Sequence, residues 1–339
     1  MNIMKNKAVL LSTLIGMSCH LAASEDYQAY IVNGTDASIT TFPSYVALFV
    51  DLIDYNNTYY EGNYCGGTIL NSTHILTAAH CVYSSDPDNN LYSLFTTVVP
   101  DLQYESYFPH NITEKKRVAK IYYRDDYNNS TLNNDIAILQ LESPLTTINT
   151  SHYANRPSTG TTYRSGSETF YAVGHGNTKT GVDEKDYLQK ASLKYVDNSS
   201  CNYSNMTDTK LCMEGVVSPS NGLEASTCQG DSGGPLYWYS GSNYIQVGLT
   251  SFGPSTFCGD ASFNSTSVFT EVYDYQAWID TVLAGTETAK YIATDAKRQA
   301  YVDSIGKESS SSGDSGGGAF GFMSLLFMSL LALVRRSVQ

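Results

Sequence analysis

The stretch Cys228-Gln229-Gly230-Asp231-Ser232-Gly233-Gly234-Pro235, followed by the apolar run Leu236-Tyr237-Trp238-Tyr239, constrains this chain more than any other. Gly230 and Gly233 let the backbone bend sharply and leave amide N–H groups free to point at a substrate oxygen, so Ser232 is a candidate nucleophile on a tight loop. The plainer reading is a simple turn, and the chain carries its own control, because the same five residues recur at 313–317. Context separates the copies. The first follows a cysteine and runs into a strand-like aromatic segment. The second lies between a serine run and Gly316-Gly317-Gly318, which is flexible linker chemistry with nothing to fix a serine's geometry.

The rest of the composition narrows the class. A formal net charge of −13 over 339 residues argues against a nucleic-acid partner, whose phosphates would be repelled. Twenty-seven tyrosines with only 16% charged residues fit a β-rich, exported protein. Lys5 and Lys7 precede the apolar run Ala8 to Met17, and Ala22 and Ala23 follow, the pattern of a secretory signal peptide over residues 1–23. Beyond it remain six cysteines, Cys65, Cys81, Cys201, Cys212, Cys228 and Cys258, an even number that in an exported chain implies three disulfides. Fifteen pairings are open at this point. No Cys-x-x-Cys or His-Glu-x-x-His spacing points to a metal, and neither metal nor cofactor is expected.

In chain order, Phe42 to Leu52 is apolar and β-branched, and Tyr64 to Leu70 and His74 to Cys81 predict two strands joined by a turn at Asn71-Ser72-Thr73. His80 is expected at the end of the second strand, its ring held beside a covalent anchor; a lone histidine is otherwise more often structural, the reading given to His20, His74, His110 and His152. Asp135 stands just before the apolar segment Ile136 to Leu141. It is either a strand-entry residue or a carboxylate placed to orient a histidine.

The three contexts Thr-Ala-Ala-His-Cys, Asn-Asp-Ile-Ala-Ile-Leu and Gly-Asp-Ser-Gly-Gly-Pro, in that order, resemble the chymotrypsin/trypsin-like serine proteases from Ile31 to about Leu283. The resemblance implies an all-β fold of two six-stranded antiparallel β-barrels with a C-terminal helix. It implies Ser232 as nucleophile, His80 as general base and acid, Asp135 as orienting carboxylate, and the N–H groups of Gly230 and Ser232 as the oxyanion hole. It pairs the cysteines as Cys65–Cys81, Cys201–Cys212 and Cys228–Cys258, and sets Ser251 against Asp135. It also implies a zymogen, in which cleavage before Ile31 frees an ammonium that buries itself against Asp231. Ser226 would floor the specificity pocket, with Thr227, Gly253 and Ser267 as walls, so a basic substrate side chain would find no counter-charge and Ser267 would make the pocket shallow. His175 stands where the family usually carries tryptophan.

The expected organisation is a signal peptide at 1–23, an activation propeptide at 24–30, the protease domain at 31–285, a helical extension at 286–308, a Ser/Gly linker at 309–319 and a hydrophobic segment at 320–339. In the extension one helix is predicted over Lys290 to Ile305 with Tyr291, Val302 and Ile305 facing inward. The run Phe320 to Val334 before Arg335-Arg336 resembles the Gly-Gly C-terminal sorting tails of exported proteins in Gram-negative bacteria, which secreted serine proteases of Vibrio-like bacteria carry. A glycolipid-anchor signal, with glycosylation at Asn71, Asn111 and Asn202, is the competing reading. The expectation is therefore a secreted or cell-surface serine endopeptidase acting on proteins or peptides, not specific for Arg or Lys. It would meet a membrane or cell surface through its tail, and would be activated at Tyr30-Ile31 by itself or by another protease. A catalytically silent homologue serving as a surface binding module is the rival.

Overall fold

The computed structural model describes residues 31–311 apart from 179–185, 202, 220, 255–257 and 263–265, with side chains given through residue 306. The expected signal peptide, propeptide, most of the linker and the hydrophobic segment lie outside the described residues. Fourteen strands and four α-helices are formed within them.

The N-terminal half contributes β1 (Thr35–Asp36), β2 (Tyr45–Val50), β3 (Cys65–Asn71), β4 (His74–Thr77), β5 (Thr96–Pro100), β6 (Lys116–Tyr123) and β7 (Ala137–Leu141), with short helices α1 (Ile53–Asn56) and α2 (Leu91–Phe95) in the connections. The C-terminal half contributes β8 (Phe170–Gly174), β9 (Gln189–Val196), β10 (Lys210–Gly215), β11 (Pro235–Tyr239), β12 (Tyr244–Phe252) and β13 (Ser267–Glu271). Helix α3 (Gln276–Leu283), strand β14 (Tyr291–Ile292) and helix α4 (Asp295–Ser311) follow.

Strands β2 to β7 close into one antiparallel barrel in the order β6-β5-β2-β3-β4-β7, with β7 returning to β6. Strands β8 to β13 close into a second in the order β9-β10-β13-β12-β11-β8, with β8 returning to β9. The two-barrel architecture with a C-terminal helix is thus as expected. Closure leaves no barrel edge open, and the short strands β14 and β1 cover part of what remains by pairing with β6 and β9.

Local sequence explains the pieces that place the site. All six residues of β2, Tyr-Val-Ala-Leu-Phe-Val, are buried, because its two faces serve different cores: Val46, Leu48 and Val50 fill the barrel, and Tyr45, Ala47 and Phe49 face the packing between the halves. The β3–β4 hairpin turns where predicted. Asn71 Oδ1 accepts the Thr73 N–H at 2.9 Å, an Asx turn that fixes the register leading to His80. His80 itself is not the last residue of β4: the strand ends at Thr77, and Ala79–Cys81 form one 3-10 turn.

The extension differs from the single helix expected over Lys290 to Ile305. Tyr291 lies in β14, paired with Ile121, and the helix starts at Asp295; Ile305 is exposed. Pairing with β6 takes the start of the segment, and α4 is held by Arg298 together with Tyr301 and Val302, which pack half-buried against the N-terminal core, Val302 as expected. Arg298 is completely buried, donating to the carbonyls of Leu94 and Val118 and pairing with Glu142 at 2.6 Å and Asp295 at 2.9 Å. Tyr55 donates to Asp295 at 2.6 Å and Tyr291 to Asp88 at 2.8 Å, so the extension folds back onto the N-terminal barrel. No helix among the described residues is long and apolar enough to cross a membrane.

Candidate active site

The loop from Cys228 to Pro235 is stitched between the barrels. On one side Ser232 accepts the Gly66 N–H at 2.8 Å, and Gly66 follows Cys65, which is bridged to Cys81 beside His80. On the other side Gly233 N–H donates to Thr250 O at 2.8 Å and Thr250 N–H returns to Gly234 O at 2.9 Å. One covalent anchor and one strand therefore bring the serine loop and the histidine turn to the same junction. The remaining bridges, Cys201–Cys212 and Cys228–Cys258, fasten two surface loops of the C-terminal barrel.

Two glycines in this loop are obligatory for physical reasons. Gly230 has φ +97°, and a Cβ there would stand 2.8 Å from the Gly176 Cα. Gly233 has φ +71°, and its Cβ would fall 2.1 Å from Thr77 Oγ1, in the space through which the barrels touch. The amides of Asp231, Gly233 and Gly234 are taken up by the carbonyls of Cys228, Thr250 and Asp231, whereas those of Gly230 and Ser232 make no backbone hydrogen bond among the described residues. Asn63 Nδ2 donates to the Gly230 carbonyl at 3.1 Å, holding that oxygen on the opposite side.

His80 and Asp135 are in direct contact. The ring Nδ1 lies 2.8 Å from Asp135 Oδ2, and the His80 backbone N–H donates to Oδ1 at 2.9 Å, so one carboxylate grips both ring and main chain. Asp135 is wholly buried, accepts Ser251 Oγ at 2.5 Å, and its carbonyl accepts Thr270 Oγ1 at 2.9 Å. Burial pulls the His80 pKa down, while the charge and hydrogen bond of Asp135 together outweigh it and leave it above the ordinary 6.5. The His80 side chain stays 22% exposed, open on its other face to take or give a proton. Among the described residues no hydrogen bond joins Ser232 Oγ to the ring, whose other near neighbour is Cys81 Sγ at 3.9 Å from Nε2. Such pairs are often loose until substrate closes the site.

Ser232 opens on a cavity of about 190 Å³ lined by Thr227, Cys228, Gln229, Thr250, Ser251, Phe252, Gly253, Pro254 and Cys258. Of the expected pocket residues, Thr227 and Gly253 line it. Ser226 and Ser267 are fully buried behind it. Ser267 Oγ accepts both the N–H and Oγ1 of Thr227, at 3.1 and 3.0 Å, and so draws the wall inward. Ser226 Oγ is buried without a hydrogen-bond partner among the described residues.

Ile31 is fully buried in the core of the second barrel, and Val32 bridges to Ser226. Asp231 is buried, accepting Gly176 N–H on Oδ1 and Cys228 N–H on Oδ2, each at 2.9 Å, and it joins no ion pair among the described residues. Burial lifts its pKa to about 7 against the pull of those two amides. His175 is buried, its Nδ1 3.1 Å from the Tyr45 hydroxyl, and burial lowers its pKa to about 4, so it is a neutral packing residue.

Sequence reasoning missed Asn63, Thr270 and Lys210. Lys210 had a signal: it shares strand parity with the half-cystine Cys212, which turns its side chain inward. Asn63 and Thr270 act on backbone atoms far away in sequence, and nothing local marks them.

The family model described as Trypsin matches residues 31–279. Chymotrypsin-like elastase family member 1 of Felis catus is 29% identical over 276 residues, covering 81% of this chain and 98% of its own length. The proteins of that name from Rattus norvegicus and Homo sapiens are each 31% identical, over 266 and 258 residues, covering 76% of this chain and 91% and 93% of their own.

Proposed function

The chain belongs to the trypsin family and is a serine endopeptidase, and from that premise we propose that His80, Asp135 and Ser232 are its catalytic triad, acting in an exported enzyme made as a zymogen. The carrying observation is the double hold of Asp135 on His80, through Nδ1 and through the backbone N–H. That hold fixes the tautomer with the proton on Nδ1 and leaves Nε2 as the base.

In this reading Nε2 takes the Ser232 hydroxyl proton as Oγ attacks the scissile carbonyl, and the amides of Gly230 and Ser232 receive the oxyanion. The imidazolium then hands the proton to the leaving amine, and water repeats the cycle on the acyl-enzyme. Asp135 stabilises the imidazolium through its 2.8 Å contact with Nδ1.

Among the described residues no ionised side chain lines the small cavity beside Ser232, which supports small or medium uncharged residues as the preferred partner and disfavours Arg and Lys. Similarity to proteins named elastases points the same way. The ion-pair partner that Asp231 lacks would be the ammonium freed by cleavage before Ile31, performed by the enzyme itself or by a second protease. Secretion follows from the leader, and cell-surface association from the apolar tail.

Hydrolysis of a peptide library by the cleaved protein tests this reading. Cuts should follow small or medium uncharged residues and vanish in Ser232→Ala and His80→Ala. Cleavage that persists in Ser232→Ala would refute the assignment. A protein that binds peptides without cutting them would favour the silent-homologue reading.

A further inference from the structure

The loop that delivers Asp135 is held from outside by a buried cation. Leu132 and Asn134, on either side of Asn133, both have positive φ, +51° and +56°, a conformation that side-chain-bearing residues hold only when their surroundings enforce it. The enforcing contacts come from the second barrel. Lys210 Nζ donates to Thr131 O at 3.3 Å, Asn133 Oδ1 at 2.8 Å and Asn205 O at 2.7 Å, which uses all three of its protons. Asn205 Nδ2 closes the ring by donating to Thr131 O at 2.7 Å. Tyr275 donates to Asn134 Oδ1 at 2.8 Å.

The same lysine reaches the substrate side. Its ammonium lies 5.1 Å from the centre of the Phe252 ring, which lines the cavity beside Ser232 and follows Ser251, the donor to Asp135. Its cross-strand neighbour Thr270 holds the Asp135 carbonyl. We propose that Lys210 is a positioning residue for the triad: its buried ammonium fastens the Asp135 loop to the Cys201–Cys212 loop and sets that loop against the Phe252 strand.

A neutral side chain of similar length could fill this space but could not satisfy three acceptors at once. Burying an unpaired ammonium is costly, so full use of its donors is what makes the arrangement tenable. Burial lowers the Lys210 pKa to about 8, partly offset by Asp135, the one ionised group that faces it among the described residues. The loop around it offers only the neutral Thr131 and Asn133, the disulfide loop the neutral Asn205, and β12 the ring of Phe252.

The proposal rests on the triad assignment, and its test separates the two. Cleaved full-chain enzyme, wild type, Lys210→Met and Asn133→Ala, is titrated with a fluorophosphonate so that rates are per active site. Peptide hydrolysis is then followed from pH 5 to 10. Lys210→Met should lose on the order of tenfold in kcat with a smaller change in KM, because the loop it fastens carries the carboxylate of the triad whereas Phe252 is one wall of the pocket among several. Its acid limb should move to higher pH, since removing a cation that faces Asp135 makes the imidazolium easier to form. Asn133→Ala should shift both in the same direction by less. A Lys210→Met enzyme with wild-type kcat and a superimposable pH profile would overturn the proposal. Should Lys210→Met not fold, a wild-type profile for Asn133→Ala would overturn it equally. Wild type that takes up no label would sink the triad assignment instead.

Discussion

Replacing Asp231 by asparagine should have opposite effects on stability before and after cleavage at Ile31. In the uncleaved chain the carboxyl is buried with two amide donors and no cation among the described residues, and its pKa is about 7 against an ordinary 3.8. A folded-state value above the unfolded one means that the folded chain binds the extra proton between those limits. Stability from this group is therefore complete below about pH 4 and is lost as pH rises through 7, by about 4 kcal/mol at 1.36 kcal/mol per tenfold. Asparagine carries no charge but turns its NH2 toward one amide donor, at a cost of about 1–3 kcal/mol at every pH. Uncleaved Asp231→Asn should thus be the less stable protein at pH 4.5 and the more stable one at pH 8. Once an Ile31 ammonium pairs with Asp231 the order at pH 8 should reverse, because the variant then leaves the ammonium buried alone. Urea unfolding of both forms in a Ser232→Ala background, at pH 4.5 to 8.5, reads these differences as midpoints. Parallel midpoints for the two uncleaved proteins across that range would refute the reasoning.

Other consequences follow from the same contacts. Because Asp135 holds the His80 pKa above the ordinary value and the base must be neutral, kcat/KM should fall as pH drops from above 6.5, with the limb displaced downward in Asp135→Asn; a pH–rate profile checks this. Ser251→Ala removes the 2.5 Å donor to Asp135 and should cost about tenfold in kcat at unchanged fold, by kinetics and circular dichroism. Ser267→Gly frees Thr227 and opens the cavity toward Ser226, so kcat/KM for aromatic residues should rise relative to alanine in a peptide panel. Arg298→Ala leaves the Leu94 and Val118 carbonyls without their donor and should destabilise the protein by about 1–3 kcal/mol for each in urea unfolding, with label uptake per folded molecule unchanged.

How much was readable from the chain differs by element. The barrels were legible because their strands are short, apolar and punctuated by turn residues, as in Asn71-Ser72-Thr73 between β3 and β4. His80, Asp135 and Ser232 were expected from the resemblance of their three contexts to the chymotrypsin/trypsin-like proteases, and of the three the structure brings His80 and Asp135 into direct contact. The extension was legible only in part: Val302 packs inward as expected, but α4 (Asp295–Ser311) has little apolar face and is anchored by Arg298, whose partners Leu94, Val118 and Glu142 lie more than 150 residues away. Helical periodicity cannot report such a contact. Tyr291 faces inward as expected, but in β14 and not in a helix, because that strand exists only through pairing with Ile121. Lys210 was passed over because a lysine in a strand usually faces solvent, and only its parity with Cys212 argued otherwise.

In the proposed mechanism Ser232 is made nucleophilic by a histidine that Asp135 holds in place. Mass-spectrometric mapping of the fluorophosphonate adduct on the cleaved protein addresses it directly. The account predicts one modified residue, Ser232, with labelling slowed by orders of magnitude in His80→Ala and nearly as much in Asp135→Asn. An adduct on another residue, or a wild-type labelling rate in His80→Ala, would contradict it.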